Sequence, residues 1–158
     1  MTFPTGEQYT ITSGPHVAVV TELGAGLRAY AVDGRDLVDG FAEDGRITGG
    51  RGQQLLPWPN RIRDGRYSFR GVAQQLVLSE PKRSNASHGL VRYVPWTLVQ
   101  HAAASVTQRV RVAQVLGGHA VHRLPQRGLP RRPRERPQVG QVGREVGLRY
   151  RPGRRGPA

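Results

Sequence analysis

Cysteine is absent from the 158 residues, which excludes disulfides and any thiolate metal site and leaves the redox compartment open. No stretch comes near the roughly 18 apolar residues of a membrane-spanning helix, so no membrane partner is expected. The N-terminal region shows no basic segment followed by an apolar run, and no secretory leader is expected there. The default location is therefore cytoplasmic. Apolar residues at i, i+3, i+4 and i+7 are hard to find, which argues against helices. Lysine is nearly missing as well: Lys82 stands alone against 23 arginines.

Positive charge is spread unevenly. Residues 1–100 carry 11 Lys+Arg and 9 Asp+Glu, a net of +2, whereas residues 101–158 carry 13 Arg against Glu135 and Glu145, a net of +11. A net charge of +13 ordinarily points to nucleic acid or an anionic surface. Its confinement to the last third leaves the rest of the chain nearly neutral. Non-specific contact of the tail is the most that nucleic acid is expected to make.

What is present before residue 113 reads as short strands between turns. Tyr9–Thr12 is β-prone and ends at Ser13-Gly14-Pro15. His16–Leu23 is apolar and β-branched, and Gly24-Ala25-Gly26 breaks it. Leu27–Val32 alternates and ends at Asp33-Gly34, a hairpin turn signal. Arg66–Arg70 and Gln74–Leu78 form a hairpin about Gly71, and Trp96–Gln100 pairs with Ser105–Val112. The pattern predicts an all-β sandwich or barrel.

Beyond about Ala113 the texture changes to Arg, Pro and Gly, and residues 101–158 hold no Asp, Lys, Phe, Trp, Ile or Met. So little apolar surface cannot offset chain entropy, and residues 113–158 are expected to be a disordered basic tail. The excess of arginine over lysine is the bias of a GC-rich coding sequence, which read out of frame yields Arg, Gly, Pro and Ala. The expectation is a frameshifted or otherwise non-native stretch; the competing reading is a genuine basic tail that binds nucleic acid. An alternative frame in the coding DNA that restores alternating strands decides for the first.

Two motifs carry chemistry. In Pro57-Trp58-Pro59-Asn60-Arg61 the prolines fix φ on both sides of Trp58, so the loop can aim Asn60 and Arg61 at little entropic cost. The planar guanidinium of Arg61 suits paired hydroxyls or a carboxylate, although it could equally pair with Asp64 or another surface acid. In Asn85-Ala86-Ser87-His88-Gly89 the imidazole can exchange protons or donate to a ligand oxygen, and Gly89 allows a positive φ. A lone loop histidine is commonly just solvated, and His16, His101, His119 and His122 sit in no recognisable setting. Trp58, Trp96, Tyr67 and Phe69 could stack on a sugar ring. Period-two spacing assigns Tyr67 and Phe69 to a core, which leaves Trp58 as the better candidate. No spacing of His, Asp and Glu suggests a metal site, and no cofactor is expected. Gly24-Ala25-Gly26 lacks the rest of a dinucleotide fingerprint.

Taken in order, Gly24-Ala25, Asn60 through Gly71, His88-Gly89, Arg92 and Trp96 resemble the N-terminal part of the aldose 1-epimerase (galactose mutarotase) family, over roughly residues 8–112. The resemblance implies a galactose mutarotase-like supersandwich, here an incomplete β-sandwich, and an isomerase interconverting the α and β anomers of a free aldose. In that family a glutamate takes the proton from the C1 hydroxyl and a histidine protonates the ring oxygen. By resemblance Arg61 and His88 hold sugar hydroxyls, Asn60 shapes their loop and Trp58 lines the site. The acid normally lies in a His-Pro-Tyr-Phe-like segment well after the first histidine. Nothing here matches it, because Ala120 and Arg123 follow His119 and His122, and Glu135 and Glu145 fall in the Arg/Pro tail. No residue of the acid/base pair is identifiable, so a weakly active or inactive protein is expected. A non-catalytic sugar-binding module stays open as an alternative. Arg51, Arg61, Arg63 and Arg66 also leave a phosphorylated hexose open.

Overall fold

A computed structural model describes residues 3–69, 71–111, 121–123 and 145–152, with the backbone path alone for 121–123 and 145–146. Among these residues the chain is almost entirely β-structure. Strands β1 (Gln8–Ser13), β2 (His16–Thr21), β3 (Leu27–Val32) and β4 (Arg35–Asp36) form an antiparallel meander in that order. The β3–β4 turn places Asp33 at φ 51° and Gly34 at φ 75°, the backbone that makes Asp-Gly a hairpin signal. Strands β5 (Arg61–Arg63), β6 (Arg66–Phe69), β7 (Val72–Leu76), β8 (Asn85–Ser87), β9 (Thr97–Ala102), β10 (Ser105–Arg111), β11 (Val121–Arg123) and β12 (Glu145–Tyr150) follow. They pair as β11-β7-β6, β5-β8 and β12-β10-β9, every neighbour antiparallel.

The meander and the β9–β10 hairpin pack face to face. Ile11, Ala18 and Val20 meet Val106 in one buried cluster, ringed by Tyr9, Leu27, Tyr30 and Tyr150. Each such aliphatic side chain contributes about 1.5–3 kcal/mol when fully removed from water. A second cluster joins Ala25, Val91, Trp96 and Val110. Gln108 sits between the two sheets and its Nε2 donates to the Thr21 carbonyl at 3.2 Å. Among the described residues no helix is long and apolar enough to cross a membrane.

The sheets stay open. Strand β9 is exposed along its length, with Leu98 40 % and Val99 53 % accessible. Tyr67 and Phe69 are also exposed, at 39 % and 60 %, and so are not the core residues that their spacing suggested. Alternation marks a strand face, but a face becomes core only where a second layer covers it, and none of the described residues covers this one.

The segment expected to be without structure contributes two strands, and the expectation fails for those residues. Val121–Arg123 pairs with β7, and Glu145–Tyr150 pairs with β10 from Arg111↔Glu145 to Val106↔Tyr150. Composition averaged over 101–158 hid a local alternation in which Leu148 and Tyr150 are half-buried while Gly147 and Arg149 are exposed. Apart from Arg151 and Pro152, the rest of the expected tail lies outside the described residues.

Tyr150 ties β12 to the body. Its hydroxyl donates to the Ala25 carbonyl at 2.8 Å, and Gln54 Nε2 donates to it. Burial pushes its ionisation up from 10.0 to about 12. A group that resists ionisation when folded stabilises fully below its unfolded value and loses that contribution as pH climbs to the folded one. The β12 anchor is thus expected to weaken between pH 10 and about 12. The effect should be on the order of 2 kcal/mol, and Tyr150→Phe should abolish it. Tyrosinate absorbance and unfolding midpoints across that range check this; a Tyr150→Phe profile identical to the parent would refute it.

Candidate functional site

The proline loop and the His-Gly turn are held together by backbone. The Leu90 N–H donates to the Leu56 carbonyl at 2.7 Å. Further along, Asn60 and His88 exchange two bonds: the His88 N–H donates to the Asn60 carbonyl at 2.8 Å, and the Asn60 N–H donates to His88 Nδ1 at 3.0 Å. The two chains then continue as the β5–β8 ladder, Arg61↔Ser87, Ile62↔Ala86 and Arg63↔Asn85. Asn60 (φ 60°) and His88 (φ 59°) are both left-handed, and the Leu56–Pro57 peptide is cis. Asn tolerates that region because its side chain bonds locally. Here Asn60 Oδ1 lies 3.4 Å from Arg61 Nη1.

The Asn60–His88 bond has a chemical consequence. Nδ1 is the acceptor, so a neutral imidazole carries its proton on Nε2. His88 therefore presents an N–H donor from a half-buried ring whose other nitrogen is fixed to backbone.

Arg61 reaches across β8 to an acid that the sequence did not single out. Its Nε donates to Glu80 Oε2 at 2.6 Å and its Nη2 to Oε1 at 3.0 Å, a two-pronged pair. The alternative that Arg61 pairs with an acid is thus realised, with Glu80 in place of Asp64. Glu80 is placed by reciprocal bonds with Asn85, the Glu80 N–H donating at 2.9 Å and the Asn85 N–H at 3.2 Å. Hydrogen bonding to Arg61 holds the Glu80 carboxyl below the usual range, and the same bonds push Arg61 up. Its placement beside Asn85 was the missing signal, and that depends on a β-bridge invisible in sequence.

Trp58 lies two residues before Asn60, half-buried, with its indole N–H enclosed and unpartnered among the described residues. Trp96 is not available to a sugar. It is 1 % exposed, and its Nε1 donates to the Val91 carbonyl at 3.3 Å. The four arginines do not converge: Arg51 donates to the Gly40 carbonyl at 2.8 Å and pairs with Asp39 at 3.4 Å. His16 bonds the Tyr30 hydroxyl and His101 the Thr10 carbonyl, both structural contacts. A cavity of about 420 Å³ lined by Pro4, Thr5, Leu23, Arg46, Ile47 and Tyr93 includes none of the candidates.

The segment after His88 docks on the Gly24-Ala25 turn. The Gly24 N–H donates to the Val94 carbonyl at 2.9 Å, and Ala25 packs in the Trp96 cluster. All the separate motifs thus belong to one connected unit. The sequence over residues 7–117 matches the aldose 1-epimerase family. The chain belongs to that family. A curated Escherichia coli K12 relative, the uncharacterized protein YihR, is 32 % identical over 102 residues, covering 65 % of this chain and 33 % of its own. Among solved structures, a GalM/aldose epimerase homologue from C. elegans superposes with a TM-score of 0.57 at 25 % identity, over 66 % of this chain and 35 % of the other. Galactose 1-epimerase from Lactobacillus acidophilus NCFM gives 0.52 at 16 % identity, over 65 % and 33 %, a likeness of fold. This aldose 1-epimerase family chain therefore spans about a third of the length of the relatives it matches.

Proposed function

We propose that this protein is an aldose 1-epimerase-like carbohydrate-binding protein that holds a free aldose in the cytoplasm through His88, Arg61 and Asn60, with Trp58 lining the site. The supporting observation is the reciprocal Asn60–His88 pair, which leaves Nε2–H as the donor of a ring held through its other nitrogen, one residue along the chain from the Arg61–Ser87 pair of the ladder. Donors on a rigid backbone suit hydroxyl and ring oxygens, because little side-chain entropy remains to be lost on binding. Trp58 adds an aromatic surface whose enclosed N–H has no partner among the described residues.

Anomer interconversion needs an acid at the ring oxygen and a base at the C1 hydroxyl. Each such group contributes about 10²–10⁴ in rate. Holding the sugar and turning it over are separable, and each has its own measurement.

Calorimetric titration with D-glucose or D-galactose, alongside polarimetry of the fresh α anomer, tests both halves. Saturable binding that His88→Ala weakens by about tenfold or more is expected, since one well-placed hydrogen bond is lost. Absence of binding would remove the reading. Rapid mutarotation abolished by His88→Ala would overturn the expectation of inactivity.

A further inference from the structure

We propose that Glu80 is a specificity-determining residue, which turns Arg61 from an anion-binding cation into a neutral, fixed pair of hydroxyl donors. This inference rests on the aldose reading of the site given above. The geometry carries it. Glu80 takes Nε–H and one N–H of Nη2, the side edge of the guanidinium. That leaves the end edge, one N–H on each of Nη1 and Nη2, parallel and unoccupied by Glu80, with Asn60 Oδ1 at 3.4 Å from Nη1 as a long contact that a ligand oxygen would replace. Two parallel donors match two adjacent oxygens, as on a vicinal diol.

Without Glu80 the Arg61 side chain would have full charge and free rotamers, and a phosphate would be its best ligand. With Glu80 in place the charge is cancelled on the spot. Glu80 is itself held, because its backbone is bonded to Asn85 in both directions, and Asn85 opens β8, which ends at Ser87 just before His88. The carboxylate, the guanidinium and the imidazole are therefore fixed by one short ladder. Arg83 also acts on the Glu80 carboxylate, with a smaller effect than Arg61, while Arg51 points elsewhere. Arg51 is engaged at Asp39 and Gly40, twelve and eleven residues away in sequence and on a different loop.

The Arg61–Glu80 pair is partly exposed, at 39 % and 26 % of its side-chain surface, so its loss should cost little stability. Variants at position 80 are thus expected to fold. The test is titration of the full chain, and of its Glu80→Gln and Glu80→Asp variants, with D-glucose, D-glucose 6-phosphate and inorganic phosphate.

The parent should prefer glucose to its phosphate ester by at least about tenfold, as cancelled charge predicts. Glu80→Gln should weaken glucose about tenfold and strengthen both phosphates about tenfold, since Arg61 is freed and unmasked. Glu80→Asp should weaken glucose but still exclude phosphate, because it keeps the charge and loses the reach. Opposite movement of the two ligand classes is a signature that a merely structural role would not give.

A Glu80→Gln variant binding all three ligands like the parent overturns the proposal, as does a parent that takes the phosphate ester as tightly as glucose. If the parent binds no sugar, the aldose reading falls. Inorganic phosphate then decides Glu80 alone, by appearing in Glu80→Gln or failing to.

Discussion

Gly89→Ala is expected to abolish aldose binding and to destabilise the protein. Gly89 adopts φ 75°, and a Cβ there would collide with the Leu56 carbonyl. That carbonyl is the acceptor of the Leu90 N–H bond that joins the proline loop to the histidine turn. Alanine must therefore either adopt a left-handed backbone under compression or push the two segments apart. Strain alone costs about 1–2 kcal/mol for a residue with a Cβ, and separating the segments adds the loss of the Asn60–His88 pair. Gly71→Ala is the matched comparison. It has a similar φ of 73° with nothing among the described residues within 4 Å of the added carbon, so only the backbone term of about 1–2 kcal/mol is expected there. Thermal unfolding and glucose titration of both variants decide the matter. Equal effects of the two substitutions would show that the close approach of Leu56 and Gly89 is not what holds the site.

The same region shows what the sequence could and could not convey. Pro57 through Arg61 and His88-Gly89 were recognisable because stiff and permissive residues are placed at fixed spacing, and their meeting in space follows from a short antiparallel ladder. Asp33-Gly34 announced its hairpin because only residues tolerant of positive φ suit that turn. Glu80 was not singled out. Its partnership with Arg61 is set by a bridge to Asn85, and no local signal distinguishes it from other surface acids. Trp96 resembled Trp58 as a candidate for stacking, and only tertiary packing separates a core indole from a loop indole. Tyr67 and Phe69 failed in the opposite sense, since an alternating strand does not say whether a second layer exists. The β12 strand was lost in an average, because a six-residue alternation is invisible inside a long Arg/Pro/Gly segment.

Trp96→Ala should give the largest loss of stability in this molecule. Trp96 is the bulkiest fully buried side chain and sits between Ala25, Val91 and Val110, with Leu56, Leu90, Val94 and Leu148 around it. Those neighbours come from the turn before β3, the proline loop, the segment after His88 and strands β10 and β12. Removing the indole leaves a void bordered by all of them. Large-to-small changes of this kind cost about 3–5 kcal/mol, against a total of about 5–15 kcal/mol for a domain. The Val91 carbonyl also loses the Nε1 donor. Trp96→Phe keeps most of the volume and loses only that bond and part of the ring, so a smaller drop, nearer 1–2 kcal/mol, is expected. Trp58→Ala, at a half-buried loop position, should lower the denaturation midpoint less than Trp96→Ala and act mainly on ligand binding. Urea unfolding of the three variants separates the two tryptophans. A Trp96→Ala protein as stable as the parent would mean that the second cluster does not hold the proline loop against the body, and the fixed position of His88 would need another cause.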